Sequence, residues 1–145
     1  MPSFEILDYT FRKKIAVLKQ IKILLVEHND ELRILVAMYL NEKPGFSVVE
    51  KVSNAFDALR MLEKYDIDLI VTCILMPIMD GFMLLERIQK MNLNPRPIVI
   101  VLSSLANQKF KDRAYKLGAS SYLVKPINPE LICTCIRESF NKVCH

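Results

Sequence analysis

Short apolar strands that alternate with helical segments constrain the fold of this chain more than any other feature. The runs IKILLV (21–26) and PIVIVL (97–102) are apolar almost throughout and rich in branched residues, which is typical of strands buried on both faces. A segment with helical spacing follows each strand, and this alternation is typical of a parallel sheet with helices on both sides. We therefore predict a doubly wound α/β fold with five βα units.

Capping residues and chain breakers set the boundaries of the predicted elements. Asn29 and Asn128 are placed as N-caps, Pro129 takes the first position of the last helix, and Gly118 ends the helix before it. The predicted strands are 21–26, 46–53, 68–73, 97–102 and 121–124, and the predicted helices are 29–42, 54–66, 81–91, 107–118 and 128–143.

The first two helices each have a predicted core face. Ile34 and Met38 lie four residues apart and roughly opposite the core face of the first helix. They leave an outward apolar pair, which is either a partner surface or a case of ordinary scattered exposure. The predicted core faces are Leu32, Leu35, Val36, Tyr39 and Leu40 on the first helix, and Phe56, Leu59 and Leu62 on the second.

Composition indicates one folded domain and excludes several classes of protein. A length of 145 residues is about one domain, and the net charge of +4 is too mild to indicate nucleic acid by itself. No apolar run reaches the roughly 18 residues that a membrane span needs, and the start MPSFEILDYT does not resemble a signal peptide. Cys133 and Cys135 would point apart on a helix, so we predict no disulfide framework and a reducing cytoplasm.

Polar or reactive residues stand where four of the five predicted strands end. Glu27 and His28 follow the first strand, Cys73 ends the third, Ser103 and Ser104 follow the fourth, and Lys125 and Pro126 follow the fifth. Doubly wound sheets bind ligands beyond the carboxyl ends of their strands, at the point where the strand order reverses. We therefore expect these residues to converge on one site.

Four motifs on the expected elements make residues 21–142 resemble a response-regulator receiver domain of the CheY-like superfamily. They are ILLVEHNDEL, DLIVTCILMPIMDG, PIVIVLSS and LGASSYLVKPI. The resemblance implies a five-stranded sheet of order 2-1-3-4-5 and a receiver over 21–143. The segments NDEL, LMPIMDGFMLLERI and KPINPEL are most similar to the receivers of the stage 0 sporulation protein A group.

The resemblance also assigns roles to the converging residues. Receivers phosphorylate an aspartate at the end of the third strand, and that position holds Cys73. An acidic pair holds Mg²⁺ in the family, and those positions hold Glu27 and His28. Because Mg²⁺ prefers oxygen ligands, we expect its binding to be lost or weak, and we expect no other cofactor and no enzymatic activity. The residues that read the phosphoryl group in the family correspond to Ser103, Tyr122, Lys125 and Pro126.

Three hypotheses account for the cysteine at position 73. It is a buried inert residue that replaces a lost phosphoacceptor, or a redox-sensing thiolate, which needs a lowered pKa and access to solvent. In the third reading it joins Glu27 and His28 as a ligand of a transition metal such as zinc. The first is the main prediction, and a redox- or metal-responsive switch that uses Cys73 and His28 is the alternative function.

Lys125 raises a separate hypothesis about the same site. A partly buried lysine needs a counter-charge, and Glu27 is the obvious candidate. We predict that a Lys125–Glu27 ion pair fills the pocket and holds one switch state, against the alternative that Lys125 is simply solvated. The sequence does not determine whether Tyr122 points inward or outward. The fourth helix carries several basic residues, which form either a solvated face or a surface for an acidic partner. They are Lys109, Lys111, Arg113 and Lys116.

Residues 1–20 precede the receiver motifs and are predicted to form an added amphipathic helix. An apolar stripe at spacings of three and four needs cover from the receiver itself, a second copy or another protein, because a helix of this length is marginal alone. Membrane binding is the weaker option, since Glu5 and Asp8 dilute the basic residues. The stripe is Phe4, Leu7, Phe11, Ile15 and Leu18.

Together these patterns predict a stand-alone pseudo-receiver that acts by binding proteins in the cytoplasm. The expected partners are a histidine kinase, a phosphotransfer protein or an intact response regulator, with a homodimer as a further option. No output domain follows the last receiver helix, so we expect no direct DNA binding.

Overall fold

The computed structural model describes residues 20–143, with side chains up to residue 141. The predicted N-terminal helix over 1–20 therefore lies almost wholly outside the described residues, as does Cys144. The strands are β1 (Ile21–Val26), β2 (Phe46–Val52), β3 (Leu69–Thr72), β4 (Ile98–Ser103) and β5 (Ser121–Val124). The helices are α1 (Asp30–Asn41), α2 (Ala55–Lys64), α3 (Gly81–Lys90), α4 (Gln108–Lys116) and α5 (Pro129–Val143).

The five strands form one sheet of order β2-β1-β3-β4-β5, in which every neighbouring pair is parallel. This confirms the predicted α/β class and strand order. The order reverses between β1 and β3, so the carboxyl ends of these two strands bound the switch point of the sheet. The register of β1 on β2 skips Val49 beyond Ile23, and this irregularity brings Val52 level with Val26 at the carboxyl edge.

Alternation along the strands divides the apolar interior into two clusters, one on each face of the sheet. In β1, Ile23 and Leu25 point to the side covered by α1 and α5, whereas Leu24 and Val26 point to the side covered by α2, α3 and α4. All four side chains are completely buried. Burial on both faces explains why the strands read as nearly continuous apolar runs.

Side-chain caps fix the helix starts close to their predicted positions. Asn29 Oδ1 accepts a 2.8 Å hydrogen bond from the Leu32 N–H, as predicted for the N-cap of α1. The same geometry recurs at Asn54 for α2 and at Asp80 for α3. Gly118 follows α4 at φ +104°, a left-handed conformation that glycine adopts without a steric cost.

The predicted core face of α1 was wrong at Leu35, which is 63% exposed. The buried residues of α1 are Val36, Ala37 and Leu40. The helix is rotated toward Ala37, which lets it approach the sheet closely, and Arg33 on this side reaches back to the Glu27 carbonyl oxygen at 2.8 Å. Leu35 is thereby turned to the surface beside Ile34 and Met38, both of which are exposed as predicted.

A similar correction applies to α2. Phe56 was predicted on the core face, but its side chain is 47% exposed. Ala55, Ala58 and Leu62 are the buried residues, because two alanines allow the first turns of the helix to lie close against the sheet. In the described part of the chain, no helix is long and apolar enough to cross a membrane.

Candidate functional site

Four of the residues predicted to converge, Glu27, Cys73, Ser103 and Lys125, meet at the carboxyl edge of the sheet, whereas His28 does not. Glu27 follows β1, and its backbone N–H donates to Val52 O at 3.0 Å, which extends the strand pairing by one residue. Cys73 follows β3 and is held to Val26 O at 3.0 Å, while the N–H of Lys125 donates to Ser103 O at 2.8 Å. The side chains at the ends of β1, β3, β4 and β5 thereby surround one site, which we call the pocket.

Glu27 is the central polar residue of the pocket. It is only 2% exposed, and both of its carboxylate oxygens are engaged. Oε1 accepts a 2.8 Å hydrogen bond from Lys125 Nζ, and Oε2 accepts a 2.9 Å bond from the Asn29 N–H. The predicted Lys125–Glu27 ion pair is therefore confirmed, and the alternative of a solvated Lys125 is not observed. The Lys125 side chain keeps 25% exposure at the mouth of the pocket.

Cys73 lies near this ion pair as a buried thiol. Its residue is 2% exposed, and Sγ lies 3.9 Å from Leu75 O. Burial, reinforced by the nearby negative charge of Glu27, raises the pKa of the Cys73 thiol from its ordinary value of 9.0 to about 11. The group is thus protonated at neutral pH, whereas a redox-sensing thiolate needs a lowered pKa and access to solvent.

His28 does not join Cys73 in a donor cluster. Its side chain is exposed, and Nδ1 lies 3.4 Å from Ser53 O at the end of β2. Within residues 20–143, no group of three His, Cys, Asp or Glu side chains is arranged to hold a metal ion. The zinc reading of Glu27, His28 and Cys73 therefore has no support in the geometry of the described chain.

The other side of the pocket is built by Ser103 and Tyr122. Ser103 is buried at the end of β4, and its Oγ accepts a 3.1 Å hydrogen bond from the Leu105 N–H. Tyr122 points inward at 7% exposure, and its hydroxyl donates to Leu105 O at 2.7 Å. The orientation that the sequence left open is thus inward. The peptide bond between Lys125 and Pro126 is cis.

Residues 23–137 match the family model described as the response regulator receiver domain. The chain belongs to this family. Receivers are signalling domains, and the match covers the sheet except for the first two residues of β1, together with the switch point and every residue of the pocket.

Similar proteins of known sequence or structure are consistent with this family assignment. The receiver is 34% identical over 115 residues to the probable transcriptional regulator ycf29 of Porphyra purpurea, an alignment that covers 79% of this chain and 54% of that protein. The chain therefore spans about half the length of this curated relative. At the level of structure, it is similar to the chemotaxis response regulator CheY4 of Vibrio cholerae, with a TM-score of 0.75 and 25% identity over 82% of this chain and 98% of that one.

Two further solved receivers superpose on the same elements. The receiver domain of the Francisella response regulator 1452 gives a TM-score of 0.75 and 25% identity, over 84% of this chain and 98% of that one. The receiver of the putative response regulator NarL of Mycobacterium tuberculosis gives a TM-score of 0.77 at 18% identity, over 83% and 96% of the two chains, and so speaks for the fold alone.

The pocket residues of this receiver do not fit Mg²⁺, the ion that the family implies. Mg²⁺ requires oxygen ligands in near-octahedral geometry, but both oxygens of Glu27 already accept hydrogen bonds from Lys125 and Asn29. The neighbouring positions present an imidazole at His28 and a buried thiol at Cys73, which are softer donors.

Two residues that the sequence analysis did not assign to the pocket, Asn29 and Arg33, hold it together. Asn29 supplies a backbone N–H to Glu27, and the Arg33 guanidinium bonds both the Glu27 carbonyl oxygen and the Asp30 carboxylate. Arg33 lies one helical turn after Asn29. An N-cap residue followed four positions later by an arginine is the sequence pattern that could have indicated their role at the pocket.

Two surfaces flank the pocket. The first, which we call the α1 apolar patch, consists of Ile34, Leu35 and Met38, all exposed. The second is the basic side of α4, where part of the charge is used internally: the Arg113 guanidinium lies 4.3 Å from the Phe82 ring centre. Lys109 similarly lies 5.1 Å from the Phe110 ring centre, so these two residues are not purely solvated charges.

Proposed function

We propose that this receiver acts by binding a protein partner and is not regulated by phosphorylation. The observation that carries the proposal is the Lys125–Glu27 ion pair near Cys73. A thiol at the end of β3 cannot form the acyl phosphate of the family. The lysine that would otherwise meet a phosphoryl group is already neutralised by Glu27 at 2.8 Å. The pocket thus has neither an acceptor nor a vacant cation.

The same contacts support the proposal that one switch state is held permanently. Lys125 is tied to Glu27, Tyr122 is inward, and Ser103 Oγ is occupied by the Leu105 N–H. A ligand can shift a two-state equilibrium only through differential affinity for the two states. Because each group that would sense a phosphoryl group is satisfied within the protein, no phosphate-dependent shift is expected, and no Mg²⁺ or other cofactor is required.

We assign the partner contact to the α1 apolar patch. Leu35 is 63% exposed at its centre, and Ile34 and Met38 extend the patch along the same side of the helix. In receivers this helix meets kinases and phosphotransfer proteins, so the proposed partner is a histidine kinase, a phosphotransfer protein or an intact response regulator of the cytoplasm. Self-association through the patch is the other option. We propose neither enzymatic turnover nor direct DNA binding.

The motifs NDEL, LMPIMDGFMLLERI and KPINPEL also lead us to propose a place near the receivers of the stage 0 sporulation protein A group. A decoy or adaptor in a phosphorelay is the role that suits a receiver of this kind without an acceptor.

Phosphorylation is tested by incubating the full chain with acetyl phosphate and Mg²⁺ and measuring its intact mass. A receiver that retains the acceptor aspartate is treated in parallel as the positive control. We expect no mass gain for this chain, and a single added phosphate would contradict the proposal.

Partner binding is tested by affinity capture from the native cell with the wild-type chain, Leu35→Lys and Leu131→Lys. Leu131 on α5 is also exposed, at 46%, and serves as the matched control outside the patch. We expect Leu35→Lys to lose the partner and Leu131→Lys to retain it, with the captured amount unchanged by a phosphodonor. Equal capture by both variants would refute the assignment to α1, and stronger capture with the phosphodonor would refute phosphorylation independence.

A further inference from the structure

A groove lies at the opposite edge of the sheet from the pocket, beside the amino ends of β1, β3 and β4. It encloses about 390 Å³ between the end of α2, the turn into β3 and the turn into β4. Its apolar wall is formed by Leu62, Ile67 and Pro97, which are buried, and by the partly exposed Leu93, and its lip carries Asp66 and Asp68. We call it the amino-edge groove. The proposed function does not use it.

The chain enters the sheet at this groove. Lys22, the second residue of β1, is one of its lining residues, and its backbone is fixed to the lip in both directions. The Lys22 N–H donates to Asp68 Oδ2 at 2.8 Å, and the Asp68 N–H donates to Lys22 O at 2.9 Å. Residues 1–19, which lie outside the described part, therefore join the receiver within a few residues of the groove.

The sequence of residues 11–19, FRKKIAVLK, matches the chemistry of this groove. It contains the last three residues of the apolar stripe, Phe11, Ile15 and Leu18, together with four cations and no acid. The apolar wall of the groove suits the apolar residues of this segment, and the acidic lip suits its cations. We propose that residues 11–19 of this chain occupy the amino-edge groove, with Ile15 and Leu18 against the apolar wall and the basic side chains toward Asp66 and Asp68.

Chain connectivity favours this occupant over a second copy or a separate ligand. Leu18 precedes Ile21 by three residues, a distance of at most about 11 Å for an extended chain, so its side chain reaches the groove without a long loop. Tethering through so short a linker gives an effective concentration on the order of millimolar. The segment would then be covered at the amino edge, and the α1 apolar patch at the other side would stay free for a partner.

The test compares backbone amide NMR signals of the full chain with those of Leu18→Asp and Val17→Asp. Val17 adjoins Leu18 but lies off the apolar stripe, so its variant adds the same charge as a matched control. We expect Leu18→Asp to shift the signals of Tyr65, Ile67 and Leu93 at every protein concentration, and Val17→Asp to leave them in place. Unchanged signals from the interior of β1 and β3 show in both variants that the sheet is folded.

Three results would overturn the inference: no shift at the groove in Leu18→Asp, shifts confined to α1, or groove shifts that disappear on dilution and so report a second copy. Trypsin cleavage after Arg12, Lys13 and Lys14 gives an independent measure. Because burying a leucine side chain favours the bound state by tenfold or more, we expect cleavage to be roughly tenfold faster in Leu18→Asp than in Val17→Asp. Equal cleavage rates in the two variants would contradict the proposed position of residues 11–19 in the groove.

Discussion

The hydroxyl of Tyr122 donates a 2.7 Å hydrogen bond to the carbonyl oxygen of Leu105, and thereby ties β5 to the loop that follows β4. The backbone N–H of the same Leu105 is bonded to Ser103 Oγ at 3.1 Å. Both backbone polar groups of one loop residue are thus held by side chains from two neighbouring strands. The inward position of Tyr122 and the occupied Ser103 hydroxyl are therefore parts of one arrangement.

Replacing Tyr122 with phenylalanine should loosen this loop without emptying the core. The ring keeps its packing, and one hydrogen bond is lost, so we expect a decrease of about 1 kcal/mol in the free energy of unfolding. Amide hydrogen exchange at Leu105 should become roughly fivefold faster. Tyr115→Phe, at a tyrosine that is 47% exposed, is the control. Unchanged exchange at Leu105 would mean that the hydroxyl does not hold the loop.

Replacing Lys125 with methionine should destabilise the protein, because it leaves the buried Glu27 carboxylate without its cation. Removal of one partner of a buried pair costs about 3 kcal/mol, and we expect this value from urea unfolding. Lys90→Met, at an exposed lysine of α3, should change stability by less than about 0.5 kcal/mol.

A double variant distinguishes the loss of a charge partner from a loss of packing. Glu27→Gln combined with Lys125→Met removes both charges, so part of the stability lost in Lys125→Met should return. If the double variant is as unstable as the sum of the two single variants, the ion pair contributes nothing beyond independent packing.

Cys73 should make stability fall at alkaline pH. Its thiol pKa is about 11 in the folded protein against 9.0 ordinarily, so the neutral form is favoured by folding. This contribution is complete below pH 9 and is lost as the pH rises toward 11. Between pH 8 and 10 the wild type should lose about 1.3 kcal/mol more than Cys73→Ala. Parallel curves for the two proteins would show that Cys73 does not titrate in this range.

The same raised pKa predicts slow alkylation of Cys73. At pH 8 the thiolate fraction is roughly a hundredfold lower than for an ordinary cysteine, and burial slows the reaction further. Peptide mapping after timed iodoacetamide treatment should show Cys73 modified at least a hundredfold more slowly in the folded protein than in urea. Rapid labelling in the folded state would revive the redox-switch alternative.

Gly81 is expected to tolerate no side chain, because the backbone passes directly over the end of β3. A Cβ at this position would lie 2.4 Å from Cys73 O and 2.7 Å from Ile74 Cα, and backbone atoms cannot move aside as a flexible side chain can. We expect Gly81→Ala to cost about 3 kcal/mol in thermal or urea unfolding.

Gly45 offers the contrasting case. Its φ is +88°, but nothing lies within 4 Å of a Cβ built there, so Gly45→Ala should cost only the conformational strain of about 1 kcal/mol. Equal costs for the two alanine variants would mean that the close approach at Gly81 relaxes easily.

The sequence predicted the sheet better than the surfaces of the helices. Strands buried on both faces carry continuous apolar runs, so their order along the chain was readable from composition and spacing alone. Leu35 and Phe56 were misplaced because helical periodicity leaves the rotation of a helix uncertain by about one residue. In both α1 and α2, the side that packs closely against the sheet carries alanines, while the larger residues Leu35 and Phe56 are exposed.

The contact that a buried charge requires was predictable from the sequence, whereas side-chain positions that depend on loop conformation were not. A buried lysine needs an anion, and Glu27 was the acid at the facing strand end, so the pairing with Lys125 could be foreseen. The inward rotamer of Tyr122 and the exposed His28 depend on loop conformations that no local pattern encodes. The support of Glu27 by the Asn29 N–H likewise follows from the turn that leads into α1.

The Lys125–Glu27 contact has a consequence for the time course of folding. The two residues are 98 positions apart in the chain, and β3 and β4 lie between the strands that carry them. Their charges can meet only when β1, β3, β4 and β5 are in register, so we expect the contact to form late in folding, after the rate-limiting barrier. Contacts of this kind leave the folding rate almost unchanged and slow unfolding. We therefore expect the ion pair to prolong the lifetime of the native conformation, mainly by slowing its unfolding.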